Sequence, residues 1–574
     1  MFILSRRTSL LDYSSSNMSD GDDGVLNGHI QDAQKDIGID TDFDFDFDID
    51  STIASNKAAI KQLLTNQSSS TDSSLLQGTL SFCNSKFSSY ILNTLSNEYI
   101  LTFGNNFNEL SNNNTSSTNQ SLHLNPSNSN SVDKIVGRVW IEIHHPAIKY
   151  FQSSFHQLNK SSKLKNRSLN SSISISSNNN SANNNSQKQY SSSFVEYKKL
   201  FDKFVKFISK AYDFYFTILK SILNTYDLSI YIPVKKLAST LKLDLKNSND
   251  KLQLPRSNHL VFSLIYITHK CVLFIGDLSR YRTLVAKTYL PSTSISKEDN
   301  NNYSKSIELY KLSLLILPSL GDPYNHIAII DNLKDDKFNV VYNFIRASLT
   351  SSPLTVSYTN LLNLLSKHPR TNSILRKFEY LNSLERSTIT KNDRLCLLKS
   401  QFLILLNYNL LPDKWRLKNG YLISGHPIGI IENDFYYLLS TLDFHKQIFN
   451  DFYFKQLVIL IGGFELLIDN KIVNKNIDID FSLSQSSENI QSYLDFLFRY
   501  LETFLKICVH VSNENLKSLE KRRNKLNDEL SNDVKDDIDD NNSSISNSNS
   551  NSNSNSNSNS TSNLNLVSNQ NKND

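Results

Sequence analysis

LVFSLIYITHKCVLFIGDLSRYR (residues 260–282), YSKSIELYKLSLLILPSLGDPYNHIAII (303–330) and VVYNFIRASLTSSP (340–353) decide the fold. Apolar residues recur through all three at helical spacing. Ser306, Tyr310, Ser313 and Pro318 fall at fixed offsets, and Val341, Ile345, Ser348 and Pro353 repeat the pattern. The spacing predicts helices over these stretches. A short helical pair of this kind cannot bury its apolar face alone, so its neighbours must be helices that stack on it.

Small, aromatic, small and proline are the second-helix positions of a tetratricopeptide repeat. The two prolines lie 35 residues apart, close to the roughly 34-residue period of such repeats. Upstream, residues 195–223 form a long amphipathic helix. Phe201, Phe204, Phe207, Ile208, Tyr212, Tyr215 and Ile218 lie on its apolar side, with Lys and Asp on the rest. Before it, Val139, Ile143, Ile148 and Phe151 share a face in residues 135–160. Pro146 interrupts that pattern and must start a helix or kink one. Downstream, helices are expected at 356–366, 392–410, 433–445, 451–468 and 489–511, with Gly462-Gly463 kinking or ending a turn in the fourth. Few runs combine β-branched alternation with hairpin turns, so the expected class is all-α.

Both ends differ from the middle in composition. Residues 1–75 are dominated by Ser, Asn and Asp and read as a disordered acidic arm. Within it Phe43, Phe45 and Phe47 alternate with Asp across DTDFDFDFDID (40–50). That segment is either a binding element for a basic or apolar partner or a solvated tail. The expected organisation has a helical repeat domain over 76–370 with a disordered insert at 161–193. A helical region over 371–512 follows, then a charged and Asn/Ser-rich disordered tail over 513–574. The net charge of +4 neither demands nor excludes a nucleic-acid partner. Cys83, Cys271, Cys396 and Cys508 are far apart, and no C-x-x-C occurs. They read as reduced, buried thiols of a cytosolic or nuclear protein. The N-terminal apolar run is too short for a secretory signal. Residues 260–275 and 457–468 read as buried core helices rather than membrane spans.

Gly276-Asp277-Leu278-Ser279-Arg280-Tyr281-Arg282, followed by Leu317-Pro318 and Gly321-Asp322-Pro323-Tyr324-Asn325, resembles one family. It is shared by the yeast ever-shorter-telomeres telomerase subunit and the nonsense-mediated-decay adaptors. The resemblance covers residues 135–353 well and the later helices loosely. It implies a 14-3-3-like helical domain with tetratricopeptide-like repeats, followed by further helices. Val139-Trp140 with Ile143-His144-His145-Pro146 is similar to the budding-yeast telomerase-subunit branch. No room for the nuclease-like domain of some animal relatives is expected after residue 511.

Members that act as decay adaptors hold a phosphoserine between basic side chains from two helices. The resemblance places Arg280 at one such position and His145, with Lys149 a turn on, at the other. Arg280 could instead pair with Asp277 and hold the helices together. A histidine, mostly neutral at pH 7, is the weaker anion ligand. Two basic clusters are candidates for nucleic-acid contact: Lys160, Lys163, Lys165 and Arg167 in the insert, and Lys517, Lys521, Arg522, Arg523 and Lys525 near the end. A solvated charged face is the alternative for each. No metal site or cofactor is expected, because adjacent His144 and His145 point apart on a helix. No phosphate loop, nucleophile elbow or H-E-x-x-H occurs, so no enzyme is expected. The resemblance implies a telomerase regulatory subunit in the nucleus, with the cytoplasm as a second compartment. Its partners would be telomerase RNA and reverse transcriptase, a telomere-end single-strand-binding protein and single-stranded telomeric DNA. The alternative is a decay adaptor reading a phosphorylated helicase. A chaperone adaptor, with Asn325 and Arg346 near its clamp positions, is a weaker third.

Overall fold

The computed structural model describes residues 48–65, 70–103, 132–173, 182–254, 259–291, 303–366, 372–385, 389–411, 427–441, 447–468 and 487–541. Among these residues the fold is all-α, with two isolated bridges, Tyr226 to Leu252 and Leu320 to Ser352. The helices are α1 Ile49–Thr65, α2 Ser70–Phe103, α3 Val132–Val139, α4 His145–Ile173, α5 Ala182–Thr225 and α6 Val234–Leu241. Next come α7 His259–Tyr289, α8 Ser304–Ile316, α9 Asp322–Leu333, α10 Lys337–Ser348 and α11 Thr355–Leu365. The last are α12 Ser373–Asn382, α13 Lys391–Leu410, α14 Ile428–Thr441, α15 Gln447–Ile468 and α16 Ser487–Asn541. The chain divides into two compact units, Met1–Leu497 and Phe498–Asp574.

In the first unit α7 is the spine. It is apolar on nearly every side, and a helix of that kind belongs in a core. It is the one described helix long and apolar enough to cross a membrane, but most of that stretch is buried within the protein. It packs on α3, α5 and α8. Facing it, α5 supplies Phe204, Phe207, Phe214, Tyr215 and Ile218, all buried. Gly276 lets α7 approach α8: a Cβ there would lie 2.7 Å from the Tyr310 ring.

The repeat pattern is laid out as its spacing predicts. Ser306, Tyr310, Ser313, Val341, Ile345 and Ser348 are all buried. Helix α8 stops at Ile316 before Pro318, and α10 stops at Ser348 before Pro353. The loops after these two helices are tied together. The Gly321 N–H donates to the Ser352 carbonyl at 3.2 Å, and the Ser352 N–H to the Ser319 carbonyl at 3.0 Å.

Several expectations differ from the structure. Residues 49–65, read as part of a disordered arm, form α1. It buries Ile49, Ile53, Ile60 and Leu64 and is held by Asp50 to Arg138 at 2.6 Å and Lys57 to Glu142 at 3.4 Å. Phe43, Phe45 and Phe47 lie outside the described residues. The insert read as a loop over 161–193 is helical at both ends, as α4 runs to Ile173 and α5 starts at Ala182. Gly462-Gly463 does not end α15, which runs on to Ile468. The bare backbone admits Ile345 and Tyr493, which would lie 2.4 and 2.3 Å from added Cβ atoms. Helix α16 continues through the expected tail to Asn541.

Candidate functional site

Pro146 sets the local geometry. It has no N–H, and its ring keeps the Glu142 carbonyl from the ordinary i−4 bond. The backbone widens into a π turn, Trp140–His144, and the His145 N–H donates to the Trp140 carbonyl. Such turns are rare and concentrate at functional sites. Trp140 stacks on Phe274 of α7, with centroids 4.6 Å apart and planes at 10°.

The turn sends the two histidines to different places. His144 is fully buried. The Asn84 amide nitrogen donates to the Lys210 carbonyl at 2.9 Å, which turns the Asn84 oxygen toward His144 Nε2 at 3.2 Å. His144 Nε2 therefore carries the proton, and Nδ1 accepts from the Tyr215 hydroxyl at 2.8 Å. Burial lowers its pKa to about 3, so His144 is a neutral core group. His145 is half-buried beside Trp140, with ring centroids 5.9 Å apart. Burial and then the Lys149 charge lower its pKa, so it too is neutral at pH 7. Lys149 is exposed.

Across from them is a buried node. Asp277, 1% exposed at its side chain, takes every contact on one oxygen. Its Oδ1 accepts from Arg280 Nη2 at 2.9 Å and Nε at 3.3 Å, and from the Tyr310 hydroxyl at 2.7 Å. His326 Nδ1 is 2.6 Å from the same atom. Asp277 Oδ2 is buried without a hydrogen-bond partner. Arg280 Nε also reaches the Tyr310 hydroxyl at 3.1 Å, and the guanidinium lies 4.2 Å above the Tyr281 ring. The Arg280 side chain is 7% exposed. Burial opposes a charge on Asp277, but His326 and Arg280 outweigh it and hold the carboxyl well below the usual range. The node joins α7, α8 and α9. Arg280, His145 and Lys149 thus share one neighbourhood, in which Arg280 is fully engaged, His145 is neutral and Lys149 alone offers an exposed charge.

Sequence reasoning missed Tyr310 and His326 as members of this node. Tyr310 fits the repeat's aromatic position, which explains its ring but carries no signal for its hydroxyl. His326 had one, as a polar residue on the buried side of a repeat helix. Arg346 is likewise committed, with its guanidinium 4.7 Å above the Tyr324 ring, and Asn325 accepts from Asn360 at 3.3 Å.

The two basic clusters are separate from this node in sequence. Lys160 is exposed on α4, and Lys163, Lys165 and Arg167 lie on its helical continuation, where only the backbone is described. In the second unit Lys517, Lys521 and Lys525 recur every four residues on one exposed face of α16, while Arg522 and Arg523 project elsewhere. Leu505, Val509, Leu516, Leu519 and Leu526 form an exposed apolar stripe on the opposite face.

Stacked helix pairs carrying a buried polar node and exposed basic faces define an interaction scaffold of the tetratricopeptide type. Residues 134–286 match the family described as telomerase activating protein Est1, and residues 306–568 match the Est1 DNA/RNA binding domain. The chain belongs to the Est1 family, which it shares with nonsense-mediated-decay factors. It is 25% identical to the nonsense-mediated mRNA decay factor EBS1 of Saccharomyces cerevisiae, over 79% of this chain and 47% of that protein. It is 22% identical to the telomere elongation protein EST1 of the same yeast, over 67% of this chain and 50% of that one. The chain thus spans about half the length of these relatives. A crystal structure of Est1 and Cdc13 shares the fold, with a TM-score of 0.54 and 19% identity over 79% of this chain and 71% of that one.

Proposed function

We propose that the protein is a non-catalytic telomerase regulatory subunit. Its helical scaffold binds telomerase RNA, and single-stranded telomeric DNA weakly. It contacts a telomere-end single-strand-binding protein and brings the reverse transcriptase to chromosome ends in the nucleus. The observation that carries this reading is the ordered pair of matches, a telomerase-activating domain followed by a DNA/RNA binding domain, across one helical fold. The commitment of Arg280 to Asp277, with a neutral His145 opposite, favours it over phosphopeptide reading, because a dianion needs free cations from two helices. The decisive experiment is immunoprecipitation of the tagged chain from its own cells with sequencing of the bound RNA. Enrichment of one long non-coding RNA together with telomerase activity is expected. Recovery of messages and decay factors without that RNA would overturn it.

The similarity to EBS1 over most of this chain supports a second reading, a decay adaptor that binds a phosphorylated helicase and acts in the cytoplasm. Deleting the gene separates the two: shortened telomeres with normal decay of premature-stop messages select the first, and the reverse selects the second.

A further inference from the structure

A second cationic feature lies away from the Asp277 node. A half-open pocket of about 160 Å³ lies between the α9–α10 turn, the start of α12 and one face of α13. Lys334, Lys337, Lys377 and Lys399 line it, together with Ser373 and Ser400. Two carboxylates also line it, and both are engaged. Asp335 pairs with Lys337 at 3.0 Å. Asp336 caps α10 by accepting from the Asn339 N–H at 3.2 Å and its side-chain amide at 2.7 Å. Lys334, Lys377 and Lys399 have no carboxylate within ion-pair distance among the described residues. At its edge Phe338 packs on Phe402 and Phe452, with centroids 5.9 and 5.1 Å apart, and the Lys399 ammonium lies 5.4 Å from the Phe338 ring centre.

Four lysines and two aspartates line this small pocket, which leaves the lining with net positive charge. An anion is what balances that charge. The pocket is smaller than the ~300–1,000 Å³ of sites that swallow whole small molecules, so it suits one charged group of a larger partner. Carboxylates favour the planar, bidentate fork of Arg, whereas Lys serves phosphate as a point charge. All the cations lining the pocket are Lys. The first turn of α12, at Ser373, adds a positive helix end. Every lining residue falls within the stretch that matches the DNA/RNA binding domain.

We propose that this lysine pocket between the α9–α10 turn, α12 and α13 holds a backbone phosphate of single-stranded nucleic acid. The inference rests on the nucleic-acid part of the function proposed above and gives it a location. The test uses the full chain and a fluorescein-labelled oligouridylate, with anisotropy titrations over a range of salt. K377E/K399E is compared with wild type, with K377R/K399R, and with K517E/K521E on α16, after melting curves confirm that each variant folds. Two lost phosphate contacts lower the slope of log K against log salt by about 1.4 for a single strand. K377E/K399E is expected to bind more weakly with that shallower slope, and K377R/K399R to retain wild-type behaviour. RNA is also expected to protect Lys377 and Lys399 from acetylation in the wild-type chain. If wild type binds RNA but K377E/K399E keeps its affinity and slope, the pocket falls and the proposed function stands. If wild type binds no oligonucleotide at any salt, both fall. If an Asp/Glu-rich peptide, and not RNA, loses binding in K377E/K399E, the site is a peptide site and the proposal is overturned.

Discussion

Asp277→Asn keeps the shape of the side chain and removes its charge, leaving the Arg280 guanidinium buried with no anion beside it. At 2.9 Å and an effective dielectric of about 20, the gross attraction between the two groups is about 6 kcal/mol. Desolvation consumes much of that. Removing one partner of a buried pair nevertheless costs about 3–5 kcal/mol, because the other charge is stranded. The amide oxygen that replaces Oδ1 still accepts from Tyr310 and His326, but as a neutral group it does so more weakly than a carboxylate, so the stranded Arg280 charge carries most of the loss. Urea denaturation followed by circular dichroism measures the loss directly. The pH dependence follows from the depressed Asp277 pKa. Its stabilising contribution is complete above the unfolded value of about 3.9 and is lost only as pH falls through the lower folded value. The gap between wild type and D277N should therefore hold from neutral pH to about pH 4 and narrow below it. D277N/R280M should cost less than the sum of the single variants, by a coupling of about 1–3 kcal/mol. A D277N loss under about 1 kcal/mol with no coupling would refute the reasoning. Arg280 would then be dispensable to the fold and available to a ligand.

His144 and His269 have folded pKa values lowered by burial to about 3 and about 4, against about 6.5 unfolded. Their stabilising contribution is complete above about pH 6.5 and is lost as pH falls toward those values. The melting temperature should decline between pH 6.5 and 4, and less steeply in H144Q, whose lower starting stability is read at pH 7.5. Asp331 runs the other way: burial and then Asp336 raise its pKa to about 6, so its charge destabilises the fold at neutral pH. D331N should be more stable than wild type by about 1–3 kcal/mol at pH 7.5, an advantage that disappears as pH falls through 6 toward 4 in a paired thermal titration. K149E alters the exposed cation near the node without touching the core, and a phosphoserine peptide should bind wild type and K149E equally weakly by calorimetry. Tight, saturable binding lost in K149E would support the decay-adaptor reading instead.

The repeat helices were legible because each of their signals has one physical cause. Small residues at 306, 313 and 348 permit close packing, and prolines at 318 and 353 cannot continue a helix. Helix α1 was not legible. Its four buried residues are spread over 17 positions among Ser, Asn and Lys, and its ion pairs to Arg138 and Glu142 are tertiary facts absent from local sequence. Gly462-Gly463 reads as a helix breaker only when packing is ignored. In the structure the missing side chains make room for Ile345 and Tyr493, and that gain outweighs the propensity cost. The lysine pocket was invisible for a related reason. Lys334, Lys337, Lys377 and Lys399 sit in three separate segments, and the charged run at 334–337 is as acidic as it is basic.

The GDLSRYR motif shows why motif and geometry must be read together. An Arg three residues after an Asp on a helix can face the same carboxylate or project toward a ligand, and the sequence pattern is identical in both cases. What decides is the third and fourth partners. Tyr310 and His326 crowd onto the same oxygen from α8 and α9, and each added donor raises the cost of releasing Arg280. A phosphate entering this cleft would have to compensate a buried carboxylate left behind as well as draw out the guanidinium. The lysine pocket imposes a smaller cost, because three of its four cations have no carboxylate within ion-pair distance among the described residues. Anion recognition by this chain is therefore expected to reside in the stretch matching the DNA/RNA binding domain, with the Asp277 node serving to fix the angle between α7 and the repeat helices.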